Sequence, residues 1–81
     1  MLDTATSETT IDTRQIPPLQ RHPLIFSTFE QLQPGEGFLL VNNHEPWPLL
    51  YQFNIRHPDA FEWEYQAEGP EIWRVRISRA A

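Results

Sequence analysis

Residues 61–78 read FEWEYQAEGPEIWRVRIS, and the fold prediction starts from this segment. Large apolar side chains alternate with charged ones on both sides of Gly69-Pro70, and a period of two is typical of half-buried β-strands. The pattern predicts an antiparallel hairpin that turns at Gly69-Pro70. One face of this hairpin is aromatic and is expected to cover a core, while the other face carries glutamates and arginines.

The predicted register of the hairpin follows from the requirement that paired residues point to the same face of a sheet. Three core-facing pairs are expected: Tyr65 with Trp73, Trp63 with Val75, and Phe61 with Ile77. Two pairs of opposite charge are expected on the outer face: Glu64 with Arg74, and Glu62 with Arg76. Because such charge pairs each contribute only about 0.2–1 kcal/mol, the aromatic face supplies most of the stability.

The elements before the hairpin are a strand and a helix. Residues 37–41 read GFLLV, and so short a continuous apolar run is typical of a strand that is covered on both faces. Apolar side chains recur at helical spacing from Ile25 to Leu32, and His22-Pro23 is the predicted start of this helix. Residues 33–35, Gln-Pro-Gly, supply its stop.

Two further elements complete the predicted order β-α-β-α-β-β. A short first strand begins at Thr10, and a second helix opens at Pro48 and ends before Pro58. The fold class is therefore α/β (α+β): a two-layer sandwich with two helices on one face of a four-stranded mixed sheet. Residues 10–80 form this single domain, and residues 1–9 are expected to be a disordered tail.

The composition excludes several chemistries. The 81 residues contain no cysteine and no lysine, and six arginines accompany eleven acidic residues for a formal net charge of −5. Without cysteine there is no disulfide, iron–sulfur cluster, thiolate zinc site or persulfide, and without lysine there is no Schiff-base chemistry. Because acidic side chains outnumber basic ones, nucleic acid and anionic membrane surfaces are poor partners.

The sequence also leads to expectations about cellular location and oligomeric state. No leader pattern is seen at the N-terminus, and the longest wholly apolar run, residues 38–41, is too short to cross a bilayer, so we expect a cytoplasmic protein. We expect the last strand, with Arg74, Arg76 and Arg79, to lie at an edge of the sheet. Because these arginines discourage edge pairing, a monomer or weak dimer is expected.

Five short strings resemble domain-of-unknown-function family 2249. They are HPLIF at 22–26, PGE at 34–36, LVNNHEP at 40–46, PLLYQ at 48–52 and GPEIWRV at 69–75. The resemblance extends from about Ile11 to Arg79. The family looks related to the TusA-like (SirA-like) sulfur-carrier fold, and its members are sometimes joined to or encoded near hemerythrin-like metal-binding domains. The resemblance therefore implies a hemerythrin-like protein as a candidate partner.

The TusA-like resemblance also implies which activity is missing. Sulfur carriers of that fold use a Cys-Pro step just before the first helix, where the positive helix end favours a thiolate. Residues 10–12 and 33–36 resemble the two flanking anchors, and the cysteine position falls on Pro18. Since the chain has no cysteine, the resemblance implies the fold without sulfur transfer.

Candidate binding residues concentrate in the loop after the central strand: Asn42, Asn43, His44, Glu45 and Trp47. Strand ends in open α/β sheets are common ligand sites. If His22 lies near His44, the two imidazoles with Glu45 could bind zinc, iron or nickel. The alternative is that His22 caps the first helix, and that His44 and the two asparagines cap the second helix or satisfy loop backbone groups.

Arg14 is a further candidate, and Trp47 has two possible roles. An exposed tryptophan would be a binding anchor, but we expect Trp47 to close the edge of the core against Pro46 and Pro48. Arg14 is expected to pair with Asp12 or with a partner.

The expected function is a non-catalytic binding or regulatory module that makes protein contacts through residues 43–48 and the N-terminal ends of both helices. No nucleophile–base pattern is present, so we expect neither catalysis nor a cofactor. The alternative is a metal- or haem-associated accessory domain that uses His44 with His22 or Glu45.

Overall fold

Two helices pack on one face of a four-stranded mixed sheet in the computed structural model, which describes residues 8–81. The elements in chain order are β1 (Thr10–Asp12), a single 3-10 turn (Thr13–Gln15), α1 (Pro18–Glu30), β2 (Gly37–Asn42), α2 (Trp47–Arg56), β3 (Phe61–Glu68) and β4 (Trp73–Arg79). This is an α+β fold, and the predicted fold class is confirmed.

The strands lie in the order β1-β2-β4-β3, so that β4 is central and β3 is an edge. β1 pairs with β2 in parallel, and β4 is antiparallel to both of its neighbours. The expectation that the last strand is an edge is therefore wrong. The apolar β2 can accept β4 as a neighbour because β4 also carries core side chains, Val75 and Ile77, both with no exposed surface.

The predicted hairpin register is also wrong, by two residues over most of its length. Trp63 pairs with Ile77, Tyr65 with Val75 and Glu64 with Arg76. The cause is a four-residue loop, residues 69–72, in which the Gly69 amide donates to the Ile72 carbonyl at 2.9 Å, together with a bulge between Tyr65 and Ala67. Because the shift is even before the bulge, the aromatic side chains still face the helices.

The core lies between the helices and the sheet. Its buried members come from every helix and from three strands: Ile11, Ile25, Phe26, Phe29, Phe38, Leu40, Leu49, Phe53, Val75 and Ile77. Phe61, Trp63 and Tyr65 of β3 are half-buried and pack against this cluster. The strand prediction for residues 37–41 is confirmed, since β2 is buried on both sides except at Leu39.

The first helix begins five residues earlier than predicted, at Pro18 instead of Pro23. Pro18 is its first helical residue, which places His22 and Pro23 inside the helix, and His22 therefore does not cap it. The apolar period missed this first turn because residues 18–20 are exposed. Pro23 removes a hydrogen bond to the carbonyl of Leu19, but this carbonyl belongs to an exposed turn where water can replace the lost donor.

The described part of the predicted tail lies beside the sheet. The Thr9 carbonyl accepts from the Leu39 amide at 2.9 Å, and the Glu8 carboxylate accepts from the Arg76 guanidinium. The rest of that prediction, residues 1–7, lies outside the described residues. Neither helix of residues 8–81 is long and apolar enough to span a bilayer.

Candidate ligand-binding cavity

The ends of two strands and the starts of two helices meet at one edge of the molecule. Because β1 and β2 run parallel, both carry their C-terminal ends to this edge, and each is followed by a helix that begins there. The two helices start after Pro17 and Pro46, whose side chains have no atom that can cap a backbone amide. Ligands of open α/β sheets bind at this position, outside the carboxyl ends of parallel strands.

A cavity of about 170 Å³ lies at this edge. Its polar lining comes from Thr13, Arg21, His22, Asn42 and His44. Its apolar lining comes from Ile25, Leu40 and Leu49, with Pro18, Pro46 and Pro48 beside them. The cavity therefore has an aliphatic part formed by core side chains and a polar part in which every ionisable group is a base.

The structure brings together two of the histidines that the sequence singled out. His22 reaches the cavity from α1, and His44 reaches it from the loop before α2. Nδ1 of His44 lies 2.8 Å from Oδ1 of Asn43. Since an amide oxygen only accepts, Nδ1 carries the proton in this contact, and Nε2 is left with a free lone pair in the neutral ring.

Asn42 and Thr13 form a buried polar pair in the wall of the cavity. They are 6% and 4% exposed, and Oγ1 of Thr13 donates to Oδ1 of Asn42 at 2.5 Å. The same hydroxyl lies 3.1 Å from the carbonyl oxygen of Val41. A buried hydroxyl and a buried amide require such partners, so this pair links the end of β2 to the turn after β1.

Arg21 was missed by the sequence reasoning. It is half-buried and lines the cavity, and its Nε donates to the carbonyl of Ile16 at 2.8 Å, which restrains the guanidinium. The arginine ion pairs within residues 8–81 use Arg14 and Arg76 instead. The signal that could have found Arg21 is a helix start at Pro18, because it places Arg21 one turn into the helix beside His22.

The other predicted site residues lie outside the cavity lining. Arg14 forms a hydrogen-bonded ion pair with Asp12 at 2.6 Å. These hydrogen bonds hold the pKa of the Asp12 carboxyl below its ordinary value. Glu45 is exposed, and its Oε2 accepts from the Tyr65 hydroxyl at 3.4 Å, so its carboxylate is directed toward β3.

Trp47 does not close the core edge, which corrects the expectation that it does. Its side chain is 61% exposed at the first residue of α2. The reason is helical geometry: α2 buries Leu49 and Phe53, and Trp47 lies about 200° around the helix from Leu49. Trp47, Tyr51 and Ile55 form an exposed line along the outer face of α2.

The predicted metal ligands do not assemble into a three-residue set. Among residues 8–81 no group of three or more His, Cys, Asp or Glu side chains is placed to hold a metal ion. His22 and His44 share the cavity, whereas Glu45 is directed toward Tyr65.

A comparison with known families gives one match. Residues 10–79 match the family described as uncharacterized conserved protein, DUF2249. The chain belongs to this family. The matched segment starts with β1 and ends with β4, so that all elements of the DUF2249 domain described above are included. No curated protein and no solved structure matches the chain.

Proposed function

We propose that this DUF2249 domain is a non-catalytic binding module that contacts a partner protein beside the cavity, through residues 43–48 and the N-terminal ends of α1 and α2. The observation that carries the proposal is Trp47, whose large side chain is 61% exposed between two prolines. Tryptophan is prominent among the residues that dominate protein interfaces, and a proline-flanked position loses little conformational freedom on binding.

A second exposed apolar side chain adjoins the same cavity. Leu19 is 93% exposed and follows Pro18, which lines the cavity, just as Trp47 stands between the lining residues Pro46 and Pro48. Covering a large apolar side chain contributes about 1.5–3 kcal/mol, so two such anchors supply a substantial part of the affinity of a modest complex. The polar cavity between their prolines would add orientation and specificity.

We propose a non-catalytic site because the hydroxyl group in its wall already donates a hydrogen bond within the protein. The Thr13 hydroxyl is buried and donates within the protein, to Asn42 Oδ1. A nucleophile needs a base within hydrogen-bond reach and a third group that orients this base. The contacts of Thr13 are with an amide and a carbonyl, neither of which is a base for this purpose.

The test compares Trp47→Ala with Ile55→Ala, a matched control that is similarly exposed on the same helix two turns away. Each purified chain is immobilised and offered native extract, the captured proteins are identified by mass spectrometry, and binding is remeasured with the purified partner. We expect Trp47→Ala to weaken binding at least tenfold and Ile55→Ala to change it less than twofold. Equal binding by wild type and Trp47→Ala would contradict the proposal.

A hemerythrin-like protein is the first partner to try, because the family resemblance implies such an association. The two purified proteins are mixed and passed over a size-exclusion column, and an earlier shared elution peak that Trp47→Ala abolishes is the expected result. An unchanged elution profile at high micromolar concentration would remove this class of partner.

The second candidate function is a metal- or haem-associated accessory domain, which the shared position of His22 and His44 favours. Two imidazoles leave the remaining coordination positions to water or to a partner, so the affinity would be modest. Titration with Zn²⁺, Ni²⁺, Fe²⁺ or haem, in wild type and His44→Ala, tests it. A stoichiometric signal that the substitution removes would favour this candidate over the first.

A further inference from the structure

We infer that the cavity binds a carboxylate group carried on a short apolar stem. The inference assigns a ligand chemistry to the cavity itself and does not require the protein partner proposed above. The carboxylate belongs either to a free short-chain acid or to a peptide, and the experiments below separate these sources.

The charge of the cavity lining is opposite to that of the chain. The chain has a formal net charge of −5, yet the ionisable residues that line the cavity are Arg21, His22 and His44. No acidic residue in the described part of the chain, residues 8–81, lines it. A cationic ligand would therefore meet a guanidinium without a compensating carboxylate, whereas an anion is attracted.

Arg21 is positioned in advance for a carboxylate. Because its Nε donates to the Ile16 carbonyl at 2.8 Å, the guanidinium is held while its two terminal nitrogens remain to donate. A carboxylate accepts two parallel hydrogen bonds from such a pair, and the fixed side chain loses little freedom when it does so.

Asn42 supplies a second donor. Its side chain is buried, and its Oδ1 accepts the single proton of the Thr13 hydroxyl at 2.5 Å. Within residues 8–81 this is the one hydrogen bond of the Asn42 amide, so the Nδ2 donor is left without a protein partner in the wall of the cavity. The buried side-chain atoms without a partner in residues 8–81 are Nε2 of His57 and Nε1 of Trp63, so Nδ2 of Asn42 is accessible, and a ligand oxygen can take the place of water as its acceptor.

The aliphatic part of the cavity selects the stem. Ile25, Leu40 and Leu49 are at most 3% exposed, line the cavity and carry no charge. A cavity of about 150 Å³ with such a lining accepts benzene, so about 170 Å³ suits a ligand of about six to nine non-hydrogen atoms. The uncapped starts of α1 and α2 add a positive potential at the same edge.

The first experiment compares butyrate with butyramide, which has the same size but no charge. Binding to the full chain is followed by NMR chemical shifts of the backbone amides and of the Asn42 side-chain amide. We expect butyrate to bind at least tenfold more tightly than butyramide, with the largest shifts at residues that line the cavity. Equal affinity for the two compounds would overturn the inference, since the cavity would then be a purely apolar pocket.

Two variants test which lining groups attract the carboxylate of butyrate. Arg21→Gln and His44→Gln remove lining groups, and Arg74→Gln is the matched control, because Arg74 is exposed on β4 and does not line the cavity. We expect Arg21→Gln to weaken butyrate binding at least tenfold, His44→Gln about threefold, and Arg74→Gln less than twofold. If Arg21→Gln fails to fold, His44→Gln still tests the assignment, because His44 is exposed. A loss of affinity in His44→Gln that is no larger than the loss in Arg74→Gln would then overturn the assignment.

Further binding experiments distinguish a free acid from a peptide, and distinguish this inference from the proposed protein contact. Inorganic phosphate that binds as tightly as butyrate would contradict the need for an apolar stem. A hexapeptide with a free C-terminal carboxylate is compared with its C-terminal amide and with butyrate; a tenfold preference for the acid peptide over both assigns the carboxylate to a peptide. Butyrate that binds at least as tightly as the acid peptide assigns it to a free acid, and this result would stand even if the protein-contact proposal fails.

Discussion

The two ends of the helical layer are packed in different ways. At the closed end, which we define by the ring cluster of Phe26, Phe29, Phe53 and Phe61, aromatic rings contact each other at centroid distances of 4.5 to 5.1 Å. A second cavity of about 210 Å³ lies beside this ring cluster and is lined by Phe29, Glu30, His57, Ala60 and Arg79. At the open end, the cavity end, the same helices and sheet are lined by aliphatic, polar and proline side chains around about 170 Å³ of space. The difference in packing predicts that the ring cluster of the closed end contributes more to stability than the aliphatic lining of the open end.

The composition of the two helix starts explains why the open end is not filled. Pro17 and Pro46 precede the first turns of α1 and α2, and residues 18–20 of α1 are exposed. The large rings that could occupy the space are directed elsewhere, since Trp47 faces away from Leu49. Because the stability of so small a domain is limited, the packing energy that is lost at the cavity has to come from contacts elsewhere in the domain.

The largest expected effect on the free energy of unfolding follows from removing the ring of Phe53, which lies at the centre of the closed end. Phe53 has no exposed surface and contacts both Phe26 and Phe29 on α1. Phe53→Ala should lower the free energy of unfolding by about 3–5 kcal/mol, because it combines lost transfer free energy with a new void. Urea denaturation followed by tryptophan fluorescence measures this change.

The control for this variant is Phe53→Leu, which keeps most of the buried volume and should cost clearly less than Phe53→Ala. A cost of less than 1 kcal/mol for Phe53→Ala would show that the closed end does not dominate stability, and the comparison between the two ends would fail.

A smaller effect is expected from the matching truncation at the open end. Leu49 is 3% exposed, lies on α2 one turn before Phe53, and lines the cavity. Leu49→Ala should cost about 2–3 kcal/mol, at the low end of the range for buried leucines, because solvent can already enter the enlarged space. The same urea titration measures it, and a loss equal to that of Phe53→Ala would remove the distinction between the ends.

The difference between the two ends could be predicted from the sequence only in part. The period-two and helical patterns gave the elements, and the aromatic face of residues 61–78 indicated where rings would meet. The hairpin register could not be predicted, because the bulge after Tyr65 and the hydrogen bond from Gly69 to Ile72 are choices among turns that the same residues allow.

The open end illustrates a second limit. His22 and His44 were recognised as candidates, but their approach depends on the parallel pairing of β1 with β2, which brings two helix starts to one edge. Arg21 carried no pattern of its own, since an arginine in an exposed first turn is usually solvated. Trp47 was assigned to the core on the average burial of tryptophan, whereas its place at the start of α2 decides its exposure.

An intermediate effect is expected from the buried polar pair at the open end. Thr13→Val replaces the hydroxyl by a methyl group of similar size and leaves Oδ1 of Asn42 without its donor. The cost should be about 1–3 kcal/mol, because a polar atom then lies unpaired in a residue that is 6% exposed. Thr13→Ser keeps the hydroxyl and should recover most of this loss in the same denaturation experiment. Equal stabilities of the Val and Ser variants would show that the hydrogen bond contributes nothing.

The smallest expected effect is a pH dependence at Asp12, next to Thr13. The hydrogen bonds from the Arg14 guanidinium lower the pKa of the Asp12 carboxyl from its ordinary value near 3.8. A carboxyl with a lowered folded-state pKa stabilises the fold fully above its unfolded value, and this contribution is lost as the pH falls through the folded value. The pair is open to solvent, so the contribution is small and screened by salt.

Asp12→Asn keeps an acceptor for the Arg14 amide but cannot titrate; its urea midpoint should therefore approach that of the wild type as the pH falls from 6 to 3. Glu71→Gln, which changes an exposed carboxyl in the hairpin loop, is the control. A difference between wild type and Asp12→Asn that stays constant over this range would mean that the Asp12–Arg14 pair does not stabilise the open end.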